Sequence, residues 1–460
     1  MQVESLQLKH VLHFSDLKLD FKYHAAPVTL ILGDQGSGKT TLMRFCYQAL
    51  TWFVARQRDI RTAGLVMLDQ DIMLNRLQSK IEIGVKFSED IGAFDEASDL
   101  NKASLQQCRW HMYKTLNAQG VGISKVETQQ LDEMVNLYQR AIKKDPLLGL
   151  PLIAYYPEER FVNDINLISK NNPAIFQTAH AYELTAIPFT TFARFFEWIR
   201  EISDIENAQS AQLIQDLLKP YENTEQQASY DNLAAQIAKA QSNIHAPALK
   251  ALRHALSIVI PGLTNLYIHY APKLQLMVEY QGQKLLFQQL SNSVRNWVAL
   301  VGDIVRRLCV LNPKSLFPCQ EGTGILMIDA IDHQLDQEHV TQILPRLHQA
   351  FPQLQILATG NRSELLDQAQ DFQCLQLNQQ QVHTIDLTQD QQHFEQIYAD
   401  LGMNKIKDDV SFIDDTLIDP IAEPMKIDSI LESIQHLSLE QKQHILESLL
   451  AEQDTEDKGL

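Results

Sequence analysis

Gly33-Asp34-Gln35-Gly36-Ser37-Gly38-Lys39-Thr40 spells G-D-Q-G-S-G-K-T, a full match to the pattern G-x-x-x-x-G-K-[ST]. The run before it, Val28-Thr29-Leu30-Ile31-Leu32, is short, apolar and suited to a buried strand. From Thr41 to Trp52 the residues Leu42, Phe45, Leu50 and Trp52 recur at roughly helical spacing. Strand, glycine loop and helix in this order aim backbone N–H groups and a helix N-terminus at phosphates. In such a loop the lysine reaches the β- and γ-phosphates and the terminal hydroxyl faces Mg²⁺. A chance match in a glycine turn would lack the flanking strand and helix. The expected ligands are ATP and Mg²⁺. The expected ATP-binding residues are Gly33, Asp34, Gln35, Gly36, Ser37, Gly38, Lys39, Thr40 and Thr41.

Composition narrows the setting. A chain of 460 residues holds two to four domains. No apolar stretch approaches the roughly 18 residues of a membrane span. Met1-Gln2-Val3-Glu4-Ser5 lacks the basic region and apolar core of a secretory signal. The five cysteines (Cys46, Cys108, Cys309, Cys319, Cys374) form no C-x-x-C pair. They read as reduced structural thiols, so a cytoplasmic location is expected. The formal charge of −18 opposes a polyanion, since a protein gripping nucleic acid shows a basic footprint. Direct nucleic-acid binding and membrane contact are not expected.

Two alternating segments, Val3 to Leu8 and Leu17 to Phe21, read as strands before the loop. Gly64 to Asp69 and Ile81 to Phe87 read as further strands, and residues 90–145 read as helical. Leu150 to Tyr156 is an apolar strand, and residues 188–220 form an amphipathic helix anchored by Phe192, Phe195, Phe196 and Trp198. Residues 221–245 read as helical, followed by a helix from Pro247 to Ile260, three short strands up to Phe287 and a helix from Ser293 to Leu311. Gly324 to Asp329 and Leu354 to Thr359 are buried-strand runs separated by a helix, the alternation of a parallel sheet. An acidic linker, Asp408 to Glu423, then precedes a helical hairpin from Ile427 to Leu450 with two apolar stripes. Two helices this short need a docking surface, either the body of the chain or a partner.

A phosphate loop works with a magnesium-holding carboxylate and a base beside it. Asp329 ends the apolar run Gly324 to Ile328 and fits the first role, giving Thr40 and Asp329 as the expected Mg²⁺ ligands. The next residue, where many such ATPases carry glutamate, is Ala330. A methyl group accepts no proton. Asp332 and His333 lie within four residues of Asp329 and are possible substitutes. Glu197, Glu201, Asp204 and Glu206 lie at helical spacing and read as a solvated face. No further metal ligand and no nucleophile elbow is legible.

The order of these motifs carries a resemblance. After a long insertion, Leu290-Ser291-Asn292-Ser293-Val294-Arg295 opens a helix as L-S-x-x-x-R, followed by the apolar run to Asp329 and the acidic turn Ile331-Asp332-His333-Gln334-Leu335-Asp336. This is similar to ABC-type ATPases of the chromosome-maintenance (SMC) and RecF kind. The resemblance implies that Ser291, Asn292, Ser293 and Arg295 act in trans on a second subunit's nucleotide, and that Ile331–Asp336 is a dimer-contact turn. The chain departs from the family at three places. Ser293 replaces the signature glycine, Ala330 the glutamate, and Gly360-Asn361 the histidine that follows the next strand. Ile153-Ala154-Tyr155-Tyr156-Pro157-Glu158-Glu159-Arg160, Phe195-Phe196-Glu197-Trp198 and Asp204-Ile205-Glu206-Asn207 resemble insertion-domain motifs of bacterial predicted ATP-binding proteins. That group includes the PtuA-like ATPases of Septu and retron antiphage systems.

The expected fold is α/β: an ABC-ATPase head of mixed and parallel sheet with flanking helices, a mainly helical insertion and a C-terminal helical tail. The expected divisions are 1–89 (N-lobe), 90–245 (insertion, with a strand near 150–156), 246–400 (C-lobe) and 401–460 (linker and tail). The resemblance implies an ATP-bound dimer or larger assembly controlling an effector, typically a nuclease, that docks partly through residues 405–460. Hydrolysis is expected to be weak or absent. The alternatives are an active ATPase with a substitute base and a RecF-like repair ATPase that binds DNA itself.

Overall fold

The computed structural model describes residues 1–23, 25–94, 105–162, 181–182, 192–218 and 247–385. β1 (Gln2–Val11), β2 (Phe14–Asp20) and β3 (Val28–Leu32) lead into α1 (Lys39–Arg58). β4 (Gln78–Lys86), β5 (Gln107–Leu116), β6 (Gly122–Glu127), α2 (Gln129–Lys144) and β7 (Leu152–Tyr156) follow. Next come α3 (Ala193–Leu218), α4 (Pro247–Val259), β8 (Leu263–His269), β9 (Gln275–Tyr280) and β10 (Gln283–Leu286). The described part ends with α5 (Asn292–Leu311), β11 (Gly324–Ile328), α6 (Gln337–Ala350), β12 (Leu354–Gly360), β13 (Gln373–Asn378) and β14 (Gln381–Thr384).

The strands build three sheets. The central one has the order β14-β13-β3-β12-β11-β7, and all of its pairings are parallel except β13 with β14. Every residue of β3, β11 and β12 is buried, as expected for parallel strands covered on both faces. A second, antiparallel sheet has the order β2-β1-β4-β5-β6, and β8 to β10 form a small meander. One buried side chain stitches the two large sheets together. Gln355 of β12 accepts from the Val3 N–H at 2.6 Å and donates to the Val3 carbonyl at 2.9 Å. An unpaired amide there would cost about 1–3 kcal/mol, so strand β1 is tied to the central sheet by more than apolar contact.

Helix α1 runs from the glycine loop into the core and is buried on most of its circumference, from Leu42 to Ala55. It packs against β4, β7 and α2, and the Trp110 indole of β5 donates to the Ala49 carbonyl at 3.1 Å. The loop is thereby mounted on a rigid element. The mixed α/β architecture agrees with the sequence reading.

Two local readings need correction. Residues 90–145 are not helical throughout, because β5 and β6 precede α2. Cys108, Trp110, Met112 and Lys114 alternate inward along β5, a period of two that the charged Lys114 on the inward face disguises. Gly64 to Asp69 is not a strand; Leu65 instead donates its N–H to the Thr51 hydroxyl oxygen, and its carbonyl accepts from the Trp52 indole N–H, both from α1. Side chains, in place of a strand ladder, satisfy that backbone. The helical reading of 221–245, the linker at 408–423, the hairpin at 427–450 and the tail 401–460 lie outside the described residues.

The cysteines form no disulfide. Burial pushes the Cys46 thiol up to about 12 and Cys374 up to about 11, which leaves little thiolate for chemistry. Among the described residues, no helix is long and apolar enough to cross a membrane.

Candidate functional site

The glycine loop joins the buried strand β3 to the first turn of α1. Gly38 takes the α1 N-cap position at φ +103° with no side-chain cap, which leaves the first-turn amides of Lys39, Thr40 and Thr41 unclaimed by a capping side chain. A Cβ on Gly38 would lie 2.3 Å from His13 Nε2, and one on Gly33 would lie 2.5 Å from the Leu377 carbonyl. Both glycines are dictated by close approach as well as backbone geometry. Lys39 folds back over the loop, donating to the carbonyls of Gly33 at 2.5 Å and Asp34 at 2.9 Å. Partial burial lowers the Lys39 pKa, and the carboxylates of Asp329, Asp332, Asp34 and Glu158 oppose that shift. Four carboxylates therefore act electrostatically on one ammonium.

Asp329 follows β11 and is almost fully buried. Its Oδ1 accepts from the Thr359 hydroxyl at 2.5 Å, and its Oδ2 lies 3.5 Å from the Tyr155 hydroxyl. Burial pushes the Tyr155 phenol far above its usual range, helped by the Asp329 charge, so Tyr155 stays a donor. A Thr40 hydroxyl and an Asp329 carboxylate are hard oxygen donors of the kind Mg²⁺ takes.

Ala330 adopts φ +44°. Its N–H donates to Thr359 Oγ1 at 2.9 Å, and its carbonyl accepts from the Arg160 guanidinium at 2.8 Å. The same guanidinium donates to the carbonyls of Pro157 and Asp329 at 2.9 and 2.7 Å. Arg160 is thus a buried bracket between the turn after β7 and the turn after β11. Its desolvation lowers the guanidinium pKa to about 10. Sequence reading grouped Tyr155 to Arg160 with the insertion; the structure places their strand in the central sheet beside β11.

Asp332 is committed elsewhere. Its Oδ2 accepts from the backbone N–H groups of Asn361 and Arg362 at 2.8 and 2.9 Å, which clamps the loop after β12. His333 is partly exposed, with Nδ1 3.9 Å from Glu158 Oε1. At Gly360 a Cβ would lie 2.3 Å from Leu365 Cδ1 and 3.4 Å from Asp332 Oδ2. The room that the family's histidine would need is therefore filled.

Ser291 caps α5, accepting from the Val294 N–H at 3.3 Å. Arg295 donates to the Asn292 side chain, and Ser293 continues the first turn. Among the described residues no hydrogen bond or ion pair joins Ser291–Arg295 to the glycine loop. They adjoin the turn after β11 instead, where Asn296 donates to Gln334 at 3.1 Å. Deeper in α5, Asp303 is buried between Arg306 and Arg307 and accepts from the Tyr156 hydroxyl at 2.9 Å. Both arginines are in the core.

A family model described as an AAA domain matches residues 5–245. The chain belongs to the AAA domain family. The match spans the glycine loop, α1 and β7 of this AAA protein. It is 25% identical over 401 residues to a protein named Retron Ec83 probable ATPase from Escherichia coli, covering 79% of this chain and 69% of that one. It is 24% identical over 362 residues to Retron Vc95 probable ATPase from Vibrio cholerae serotype O1 biovar El Tor, covering 74% and 66%. The AAA protein thus spans about two thirds of these relatives' lengths. Similar solved structures include an Smc head with an extended coiled coil bound to the C-terminal domain of ScpA from Pyrococcus furiosus. It has a TM-score of 0.44 and 13% identity, covering 86% of this chain and 99% of that one. The SMC head domain from Thermotoga maritima scores 0.39 at 11% identity, covering 84% and 99%. The AAA domain match and the retron ATPase relatives agree with the expected likeness to retron ATPases.

Proposed function

We propose that this chain is the ATP-binding subunit of a bacterial antiphage assembly, in which ATP binding by paired copies controls a partner effector, a nuclease. The observation that carries the reading is the strand–loop–helix of Val28–Arg58 with buried Asp329 and Asp332 acting on Lys39. In this proposal Gly33 to Thr41 cradle the phosphates, and Thr40 and Asp329 hold Mg²⁺. The metal would neutralise charge on the β- and γ-phosphates. Ser291, Asn292, Ser293 and Arg295 would face the nucleotide of a second copy, leaving the two chains bridged while ATP is bound. Ala330 removes the base from its usual position; with nothing in its place the rate would fall by a factor on the order of 10²–10⁴. The defence setting is supported by the retron ATPase relatives.

Nucleotide binding by the purified full chain tests the core of this reading, with Lys39→Ala as control. Saturable ATP binding that vanishes in the variant is expected, with ATP-dependent growth in mass by light scattering. A wild-type chain that binds no ATP overturns it. Residues 405–460 are proposed to carry part of the effector contact. Deleting them should weaken co-purification of the second protein and leave ATP binding intact; unchanged co-purification removes the tail from the proposal.

A further inference from the structure

We infer that Glu158 supplies the carboxylate that Ala330 lacks, accepting the proton of the water that attacks the γ-phosphate of ATP. The inference rests on the reading that ATP occupies the Gly33–Thr41 loop. It comes from the pairing of β7 with β11. The two strands are parallel neighbours with Tyr156 opposite Ile328, and the Asp329 N–H donates to the Tyr156 carbonyl at 2.9 Å. Both strands end at that pair, so Glu158 lies two residues past the end of β7 and Ala330 two residues past the end of β11, in turns that Arg160 joins. A carboxylate absent from the turn after one strand is present in the turn after its neighbour.

Three features separate Glu158 from the other acidic groups nearby. Asp329 is buried and hydrogen-bonded to Thr359, and Asp332 has two backbone N–H groups on Oδ2. The Glu158 side chain is 55% exposed, with His333 Nδ1 3.9 Å away. Its charge is felt at Lys39, the residue that marks the γ-phosphate end of such loops. Arg160 fixes the height of Glu158 by bonding to the carbonyls of Pro157, Asp329 and Ala330 at once. The two strand ends therefore move as one body, which a positioned base needs.

In the step itself the water oxygen bonds to the γ-phosphorus as the bond from that phosphorus to the β–γ bridging oxygen breaks. The water proton passes to the Glu158 carboxylate and then to solvent, and ADP and inorganic phosphate leave. His333 stands behind Glu158 as a neighbour through which that proton can return to water.

Phosphate release and ATP binding by the full chain, for wild type, Glu158→Gln, Glu159→Gln and Lys39→Ala, test this. Glu159 is exposed beside Glu158 and is the charge-matched control. The expected result is wild-type turnover above Lys39→Ala, and kcat lower by about 100-fold in Glu158→Gln. The ATP dissociation constant of Glu158→Gln should stay within about threefold of wild type, with bound ATP accumulating uncleaved, and Glu159→Gln should match wild type. A loss of kcat below tenfold overturns the role of Glu158, as does wild-type turnover no greater than that of Lys39→Ala. Either result leaves the nucleotide-binding reading standing; that reading falls only if wild type binds no ATP.

Discussion

The Thr359 hydroxyl donates to Asp329 Oδ1 across 2.5 Å between adjacent parallel strands. It also accepts the N–H of Ala330, so one β-branched side chain aims the acidic group and pins the turn that follows. Thr359→Val keeps the shape and removes both bonds. The variant should lose about 1–3 kcal/mol of stability, because a buried carboxylate oxygen and a buried N–H lose their partner. Chemical denaturation measures this, and titration with Mg·ATP should show weaker nucleotide binding as well.

Asp303 lies between Arg306 and Arg307 and pairs with both. Burial alone would raise its pKa, but the two guanidiniums outweigh burial and hold the carboxyl far below the usual range. A depressed folded-state pKa contributes stability that is complete above the unfolded value, near 3.9, and is lost as pH falls toward the folded value. Asp303→Asn removes the carboxylate that two buried guanidiniums share and should cost about 3–5 kcal/mol at neutral pH. The gap between wild type and variant should narrow below about pH 4. Urea unfolding at several pH values measures both effects.

Gly36 and Gly38 make an internal comparison. Both have positive φ, but a Cβ on Gly36 meets nothing within 4 Å, whereas one on Gly38 meets the His13 and Phe14 rings. Gly36→Ala should cost about 1–2 kcal/mol, the left-handed penalty alone. Gly38→Ala should cost more and weaken ATP binding, since the loop must shift from the α1 N-terminus. Paired thermal melts order the two.

Restoring the family's histidine with Gly360→His should destabilise the chain by about 1–3 kcal/mol through overpacking against Leu365 and Asp332. Phosphate release should not increase. A stable, faster variant would show that the loop after β12 can make room.

Much of the central sheet was legible because its signals are local. A five-residue apolar run before G-x-x-x-x-G-K-T can only be a buried strand feeding a helix, and Gly324 to Asp329 repeats the device. Strand β5 was missed because its inward residues include Lys114, whose long stem reaches Asp69 at 2.8 Å while its backbone faces the core. A charged residue on the buried face breaks the apolar alternation that marks a strand. Arg306 and Arg307 show the same effect: a charge reads as surface until its partner, here Asp303, is seen to be buried with it.

The sequence by itself determined the strand–loop–helix at residues 28–58, the carboxylate at Asp329 and the absence of one at Ala330. These follow from residue type and spacing along one stretch of chain. Which groups stand around that absence was decided only by the tertiary structure. Parallel pairing of β7 with β11 sets the turn that carries Glu158 beside the turn that carries Ala330, across 172 positions of sequence, and Arg160 locks the two strand ends together. Parallel neighbours are joined through long connections, so nothing local in the chain records which residues will meet at their ends.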